Sequence, residues 1–237
     1  MATHGIDLSK HNGGVDFARV KASGLAGFAI LRAGYGKLVS QKDTCFETYY
    51  ANAKAVGIPL GAYWYSYAMS ADEAREEAAA CLACIKGKQF EYPIYFDVEE
   101  SKQLALGKDK VTAIISAFCG ELEKAGYFVG IYMSASPLST LVRADIAKRY
   151  AVWVAHYGVQ KPSYSGEYGM WQHSSTGRVP GINGNVDLDE CYKDYPAVIK
   201  AKGLNGFALA AHPPAKETKQ VKLIIGGETW SGTLTKE

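Results

Sequence analysis

Residues 92–103 read YPIYFDVEESKQ: an apolar and aromatic run that closes on Asp97, Glu99 and Glu100 before turning polar. A short apolar run bounded by polar residues reads as a strand buried on both faces, as in a parallel sheet. Carboxylates gathered at the end of such a strand repel one another, so packing alone does not explain them. In α/β barrels that end is where reacting groups stand, held rigidly while the loops shape a pocket. Alternation along a strand puts Asp97 and Glu99 on one face, with Cα atoms roughly 6.5–7 Å apart, and sends Val98 and Glu100 to the other. Acids crowded in this way cannot all ionise freely, which leaves one protonated near neutral pH and able to donate.

Outward from this stretch, similar runs recur at residues 5–9 (GIDLS), 28–34 (FAILRAG), 60–67 (LGAYWYSY) and 128–134 (FVGIYMS), with segments of helical period between them. Ser70 as N-cap, Glu73 three residues on and Gly87 beyond the last turn mark one helix; residues 108–126, stopped by Gly126, form another. After about residue 148, YAVWVAHYG, YGMWQHSST and NVDLDECY follow one another with no room for a full helix between them. Five βα units followed by three strands predict an eight-stranded α/β barrel over residues 1–205, whose closure brings the first and last strands together. Asp7 in the first strand and Asp187 in the last are then expected to converge with Asp97 and Glu99. Asp16, Asp72 and Asp109 open helical runs and read as caps, and Asp189 and Glu190 carry no site argument of their own. Tyr35, Tyr63, Tyr65, Tyr67, Tyr132, Trp153, Tyr157 and Trp171 fall at or near strand ends. Aromatic faces with polar tips suit sugar rings.

Composition sets the outer limits. The 237 residues are 48% hydrophobic and 21% charged, with a net charge of +2, which offers no electrostatic footprint for nucleic acid or an anionic surface. Five cysteines with one close pair, Cys81 and Cys84 on a helical run, argue against a disulfide framework or a zinc set. No metal or cofactor is expected. The sequence shows no secretory h-region and no apolar run of membrane-spanning length, so the chain is expected to be made in the cytoplasm or to have lost a leader. Residues 206–220 read as a linker, and 221–237 as a short β-hairpin tail turning at Gly226-Gly227, either the remnant of a second domain or, as expected here, a piece that docks on the barrel or joins copies into a homo-oligomer.

Taken in order, GIDLSKHNG, FAILRAGYG, GAYWYSYA, YPIYFDVEE, VGIYMS, YAVWVAHYG and MWQHSSTGRVPGINGNVDLDE resemble the lysozymes of glycoside hydrolase family 25. The resemblance implies a flattened (β/α)5(β)3 barrel that cleaves the β-1,4 bond between N-acetylmuramic acid and N-acetylglucosamine in peptidoglycan, as a phage lysin or a secreted enzyme; retention is expected whether Asp97 attacks the anomeric carbon directly or steadies the substrate's N-acetyl group while its carbonyl oxygen attacks. It assigns Glu99 as general acid, Asp97 as the second carboxylate, and Asp7 and Asp187 as further acids of the site. Tyr35, Tyr63, Tyr65, Tyr132, Trp153 and Gln172 are the expected substrate-binding positions. Phe17 departs from the family pattern, where many relatives carry Trp, at a position that reads as structural. The rival expectations are a wall-binding protein that does not cut, and a chitinase-like hydrolase.

Overall fold

The computed structural model describes residues 2–209 and 218–235. In chain order its elements are β1 (Thr3–Leu8), α1 (Phe17–Ser23), β2 (Phe28–Tyr35), α2 (Phe46–Ala55), β3 (Leu60–Tyr65), α3 (Ala71–Ile85), β4 (Ile94–Asp97), α4 (Ser101–Leu104), α5 (Lys108–Lys124), β5 (Val129–Ser134), α6 (Ala135–Leu141), α7 (Ala144–Arg149), β6 (Ala151–Ala155), β7 (Met170–Gly177), β8 (Val186–Cys191), α8 (Tyr195–Ala201), β9 (Thr218–Ile225) and β10 (Glu228–Thr235). Strands β1 to β8 close into a barrel in sequence order. Neighbours from β1 to β7 are parallel, and β8 runs antiparallel to both β7 and β1. This is the expected α/β barrel with a hairpin behind it.

Local chemistry explains the elements. Ser70 caps α3 by accepting from the Glu73 amide at 3.2 Å, while the Glu73 carboxylate reaches back to the Met69 amide at 2.7 Å; such a cap stabilises a helix by about 1 kcal/mol. Asp16 caps α1 in the same way through the Arg19 amide. The Phe17 ring is buried edge-on against Tyr49 at 5.6 Å, in keeping with a structural position.

Strand alternation divides the barrel into two cores. Outward residues such as Leu31, Trp64, Phe96, Ile131 and Val154 pack under the helices, with Phe96 stacked on Phe118 of α5 at 3.9 Å. Inward residues lower in the barrel, Phe28, Ile30, Tyr95 and Met170, form a second cluster that Tyr195 and Ile199 of α8 close from below. A Cβ on Gly5 would lie 2.3 Å from the Phe28 ring, and one on Gly130 2.3 Å from Tyr95. Only glycine leaves these rings room to fill the floor. The upper half of the interior is left to polar side chains.

Strand four was expected to run through residue 99, but β4 ends at Asp97. The Val98 amide still bonds the Tyr132 carbonyl at 3.1 Å; Glu100 then N-caps α4, so the chain leaves the sheet and Glu99 does not share a strand face with Asp97. Strand three likewise stops at Tyr65 rather than 67. At the far end, the hairpin starts at Thr218 and turns on Gly226 and Gly227 at φ +63° and +90°, the positive values a two-residue hairpin turn requires. Most of the expected linker, residues 210–217, lies outside the described residues.

Candidate active site

A cleft of about 600 Å³ opens where β1 to β6 end, and all ten expected site residues line it: Asp7, Tyr35, Tyr63, Tyr65, Asp97, Glu99, Tyr132, Trp153, Gln172 and Asp187. Because β8 is antiparallel, Asp187 reaches the same rim from near the start of its strand, directly opposite Asp7 in register. Ser9, Lys10, His11, Arg32, Tyr67 and Tyr157 complete the lining. Of the other aromatics expected near the rim, Trp171 faces away and donates its indole N–H to the His156 carbonyl at 2.8 Å.

The floor is a connected polar chain. Gln172 donates from Nε2 to Asp7 Oδ2 at 2.6 Å and accepts at Oε1 from the Tyr132 and Tyr157 hydroxyls at 2.7 and 2.5 Å. Two hydroxyls on the amide oxygen and a carboxylate on its nitrogen leave Gln172 a single satisfying orientation. Burial first, then the charges of Asp189 and Asp187, push the Asp7 carboxyl well above its ordinary range, against the Gln172 hydrogen bond.

Asp189 belongs to this floor, although the sequence singled out only Asp187 in that strand. It pairs in register with Gly5 and Gln172 on the flanking strands, is fully buried, and accepts the Trp153 indole N–H at Oδ1 at 2.8 Å. Its Oδ2 has no hydrogen-bond partner among the described residues. Burial raises its carboxyl well above the ordinary carboxylate range, with the Trp153 hydrogen bond opposing. The folded state keeps a proton that the unfolded chain releases above pH 3.8, so stability falls as pH climbs from there through the raised value. Asp189→Asn keeps the acceptor for Trp153 and removes that cost of about 1 kcal/mol or more. Its expected Tm gain is about 2–4 °C at pH 7, fading toward pH 4; calorimetry across that range measures it, and a lower Tm at pH 7 would refute the assignment.

Arg32 brings a cation held inside the mouth. Its Nε donates to Asp43 Oδ2 at 2.6 Å, and Asp43 in turn accepts from the Lys10 and Cys45 amides at 3.0 and 2.9 Å. An arginine inside the apolar run FAILRAG is a legible sign of an inward charge. Asp43 had no such sign, since it lies in the connecting segment after β2 and only folding back brings its amide onto the Ala33 carbonyl at 3.0 Å.

The two carboxyls of YFDVE sit at different depths. Asp97, the last residue of β4, is buried between Tyr65 and Tyr132 in register, with Oδ1 lacking a hydrogen-bond partner among the described residues. Burial, then the Glu99 charge, raise its carboxyl well above the ordinary range, while Arg32 pulls it down. Glu99 stands exposed at the mouth. Its carboxyl is raised by the desolvating cleft walls and then by Glu100, and the open setting argues for a modest rise. Glu100, expected to face away, instead accepts the Tyr65 hydroxyl at 2.6 Å.

Aromatic rings form the walls. Trp153 packs edge-on to Tyr132 at 4.5 Å and to Tyr63 at 6.2 Å, and Tyr67 at the rim contacts Tyr65 and Tyr35 at 5.1 and 6.2 Å. The result is an open cleft with a protonatable carboxyl at its mouth, a deeper carboxyl that feels the charge of Arg32, and aromatic rings on the sides. It can bind a chain of polar rings and transfer a proton to it.

Residues 6–182 match the profile of the family described as glycosyl hydrolases family 25. An autolytic lysozyme of Clostridium acetobutylicum is 30% identical over 186 residues, which cover 78% of this chain and 55% of that protein. The chain thus spans about half the length of that relative. Among solved structures, the bacterial lysozyme from Streptomyces coelicolor superposes with a TM-score of 0.73 at 28% identity, over 88% of this chain and 99% of that one. The CTP1L endolysin gives a TM-score of 0.74 at 26% identity, over 84% and 70%.

Proposed function

This chain belongs to glycosyl hydrolases family 25, and on that footing we propose that it hydrolyses peptidoglycan at the β-1,4 bond between N-acetylmuramic acid and N-acetylglucosamine, with retention of configuration. The observation that carries the reading is the convergence of Asp7, Asp97, Glu99 and Asp187 on one aromatic-walled cleft, together with the names of its relatives as lysozymes and endolysins. Its site of action is the bacterial cell wall.

In the proposed reaction, a glycan strand lies along the cleft with ring faces against the accessible tyrosines Tyr35, Tyr65, Tyr67 and Tyr157, behind which buried Trp153 braces the wall. Glu99, protonated, donates to the glycosidic oxygen as the bond to the anomeric carbon of the muramic residue breaks. The substrate's own acetamido oxygen attacks that carbon, and Asp97 accepts from the acetamido N–H and balances the positive charge of the resulting ring. Glu99, now a carboxylate, takes a proton from water; the water oxygen adds to the anomeric carbon, and the acetamido group is restored. Two inversions give net retention. Arg32 supports this division of labour, since its charge opposes the rise that burial imposes on the Asp97 carboxyl. The Asp7–Gln172 chain holds the Tyr132 and Tyr157 hydroxyls at the cleft wall.

Purified peptidoglycan digested with the protein is expected to release fragments with N-acetylmuramic acid at the reducing end. N-acetylglucosamine at the new reducing ends would overturn the bond assignment. The rate is expected to fall with rising pH, because the acid form of Glu99 is lost as pH passes its raised value. That limb lies above the ordinary glutamate range near 4.5, and a profile flat from pH 4 to 9 would count against Glu99 as the donor.

A further inference from the structure

The reaction proposed above leaves the β9–β10 hairpin unused. Its register sets Lys219 opposite Leu234, Val221 opposite Gly232, Leu223 opposite Trp230 and Ile225 opposite Glu228. Directly paired residues share a face, as do alternate residues along a strand. One face therefore carries Val221, Leu223, Ile225, Trp230 and Leu234, and the other is polar except for Ile224. Leu223, Ile225, Trp230 and Leu234 are 56–64% exposed, and neither core cluster of the barrel contains a hairpin residue. Two strands with an uncovered apolar face are at best marginally stable in water, and such a face marks an interaction site.

The charges on that face indicate its cover. Lys219 stands at the open end of the apolar row and Glu228 at the turn end. A second hairpin laid on the first and turned end for end sets lysine against glutamate at both ends, with the apolar residues interdigitated between. The face is complementary to itself, as a two-fold interface must be. We infer that two copies of this chain associate through their β9–β10 hairpins, apolar face on apolar face and antiparallel, with Lys219 of each copy against Glu228 of the other. The resulting four-stranded sandwich, with sheets about 10 Å apart, covers what each hairpin exposes. The inference depends on the hairpin and not on the chemistry assigned to the barrel.

Sedimentation of the full chain at tens of micromolar is the test. The wild-type protein is expected at twice the chain mass, and Trp230→Asp at the single mass with wall lysis retained. Lys219→Glu and Glu228→Lys, each alone, put like charges together at both ends and are expected to weaken association by about tenfold. An equimolar mixture of these two variants restores opposite pairs and recovers the dimer, as does the double variant. A hairpin that merely misfolded in each variant would not recover on mixing. A monomeric wild-type chain overturns the inference, whether its hairpin then lies on its own barrel or binds purified wall glycan; so does a mixture that stays as weak as its components.

Discussion

Glu99→Gln is expected to lower the turnover of purified peptidoglycan by a factor of about 10² to 10⁴, the usual contribution of a positioned general acid, while its melting temperature stays within about a degree of the wild type. The two halves of this expectation come from the same feature. Glu99 lies beyond the end of β4 with its side chain exposed in the mouth of the cleft, so an isosteric amide removes the transferable proton without disturbing the core. The pH dependence sharpens the test: the residual activity of Glu99→Gln should lose the falling limb that the wild type shows as pH rises. Glu100→Gln is the control, since Glu100 sits one residue away but is engaged by the Tyr65 hydroxyl at 2.6 Å; its effect should stay within about tenfold. Near-normal release of reducing ends by Glu99→Gln, or a larger loss in Glu100→Gln, would sink the assignment of the donor.

Asp97→Asn is expected to cost about 10² to 10³ in kcat, the scale on which removal of one preorganised electrostatic group is felt. Asp97 is buried, and the charge of Arg32, a guanidinium held by Asp43, opposes the rise of its carboxyl. A neutral amide there can neither accept the acetamido N–H with a full charge nor balance the developing cation. The substrate offers a discriminating version of the experiment. On glycan strands whose muramic residues have been de-N-acetylated, the wild type should slow to the level of Asp97→Asn, and the variant should lose little more, because both changes remove the same step. A covalent glycosyl adduct on Asp97, trapped and seen by mass spectrometry, would instead establish direct attack by the carboxylate and exclude the assisted route.

Asp7 and Asp189 show why the floor of the cleft is costly to build. Each is buried with its carboxyl pushed upward, and the charge of Asp189 adds to the rise at Asp7. A stability-driven choice would place apolar side chains here, as occurs a layer lower with Phe28, Tyr95 and Met170. Retention of acids at this level accords with a site in which rigid polar groups matter more than the last increment of stability.

Much of this was legible along the chain. A strand's side chains alternate with period two whatever it packs against, so the inward rows Tyr63 and Tyr65, or Trp153 and Ala155, can be read from LGAYWYSY and YAVWVAHYG without neighbours. Turn and cap chemistry is equally local, which is why the start of α3 at Ser70 and the turn at Gly226-Gly227 were visible. The order of βα units and the final three strands then constrained the barrel, and with it the meeting of Asp7, Asp97, Glu99 and Asp187. Contacts across the closure were decided otherwise. Asp189 became part of the floor because β8 pairs antiparallel with β1 in a register that sets it against Gly5 and Asp187 against Asp7, strands separated by nearly the whole barrel sequence. Asp43 became the anchor of Arg32 because the loop after β2 folds back along the end of that strand, and Glu99 left its strand because α4 starts just after Glu100. Periodicity belongs to the covalent chain; which carboxylate faces which cation, and how much water reaches each, is fixed only when distant segments share one low-dielectric space.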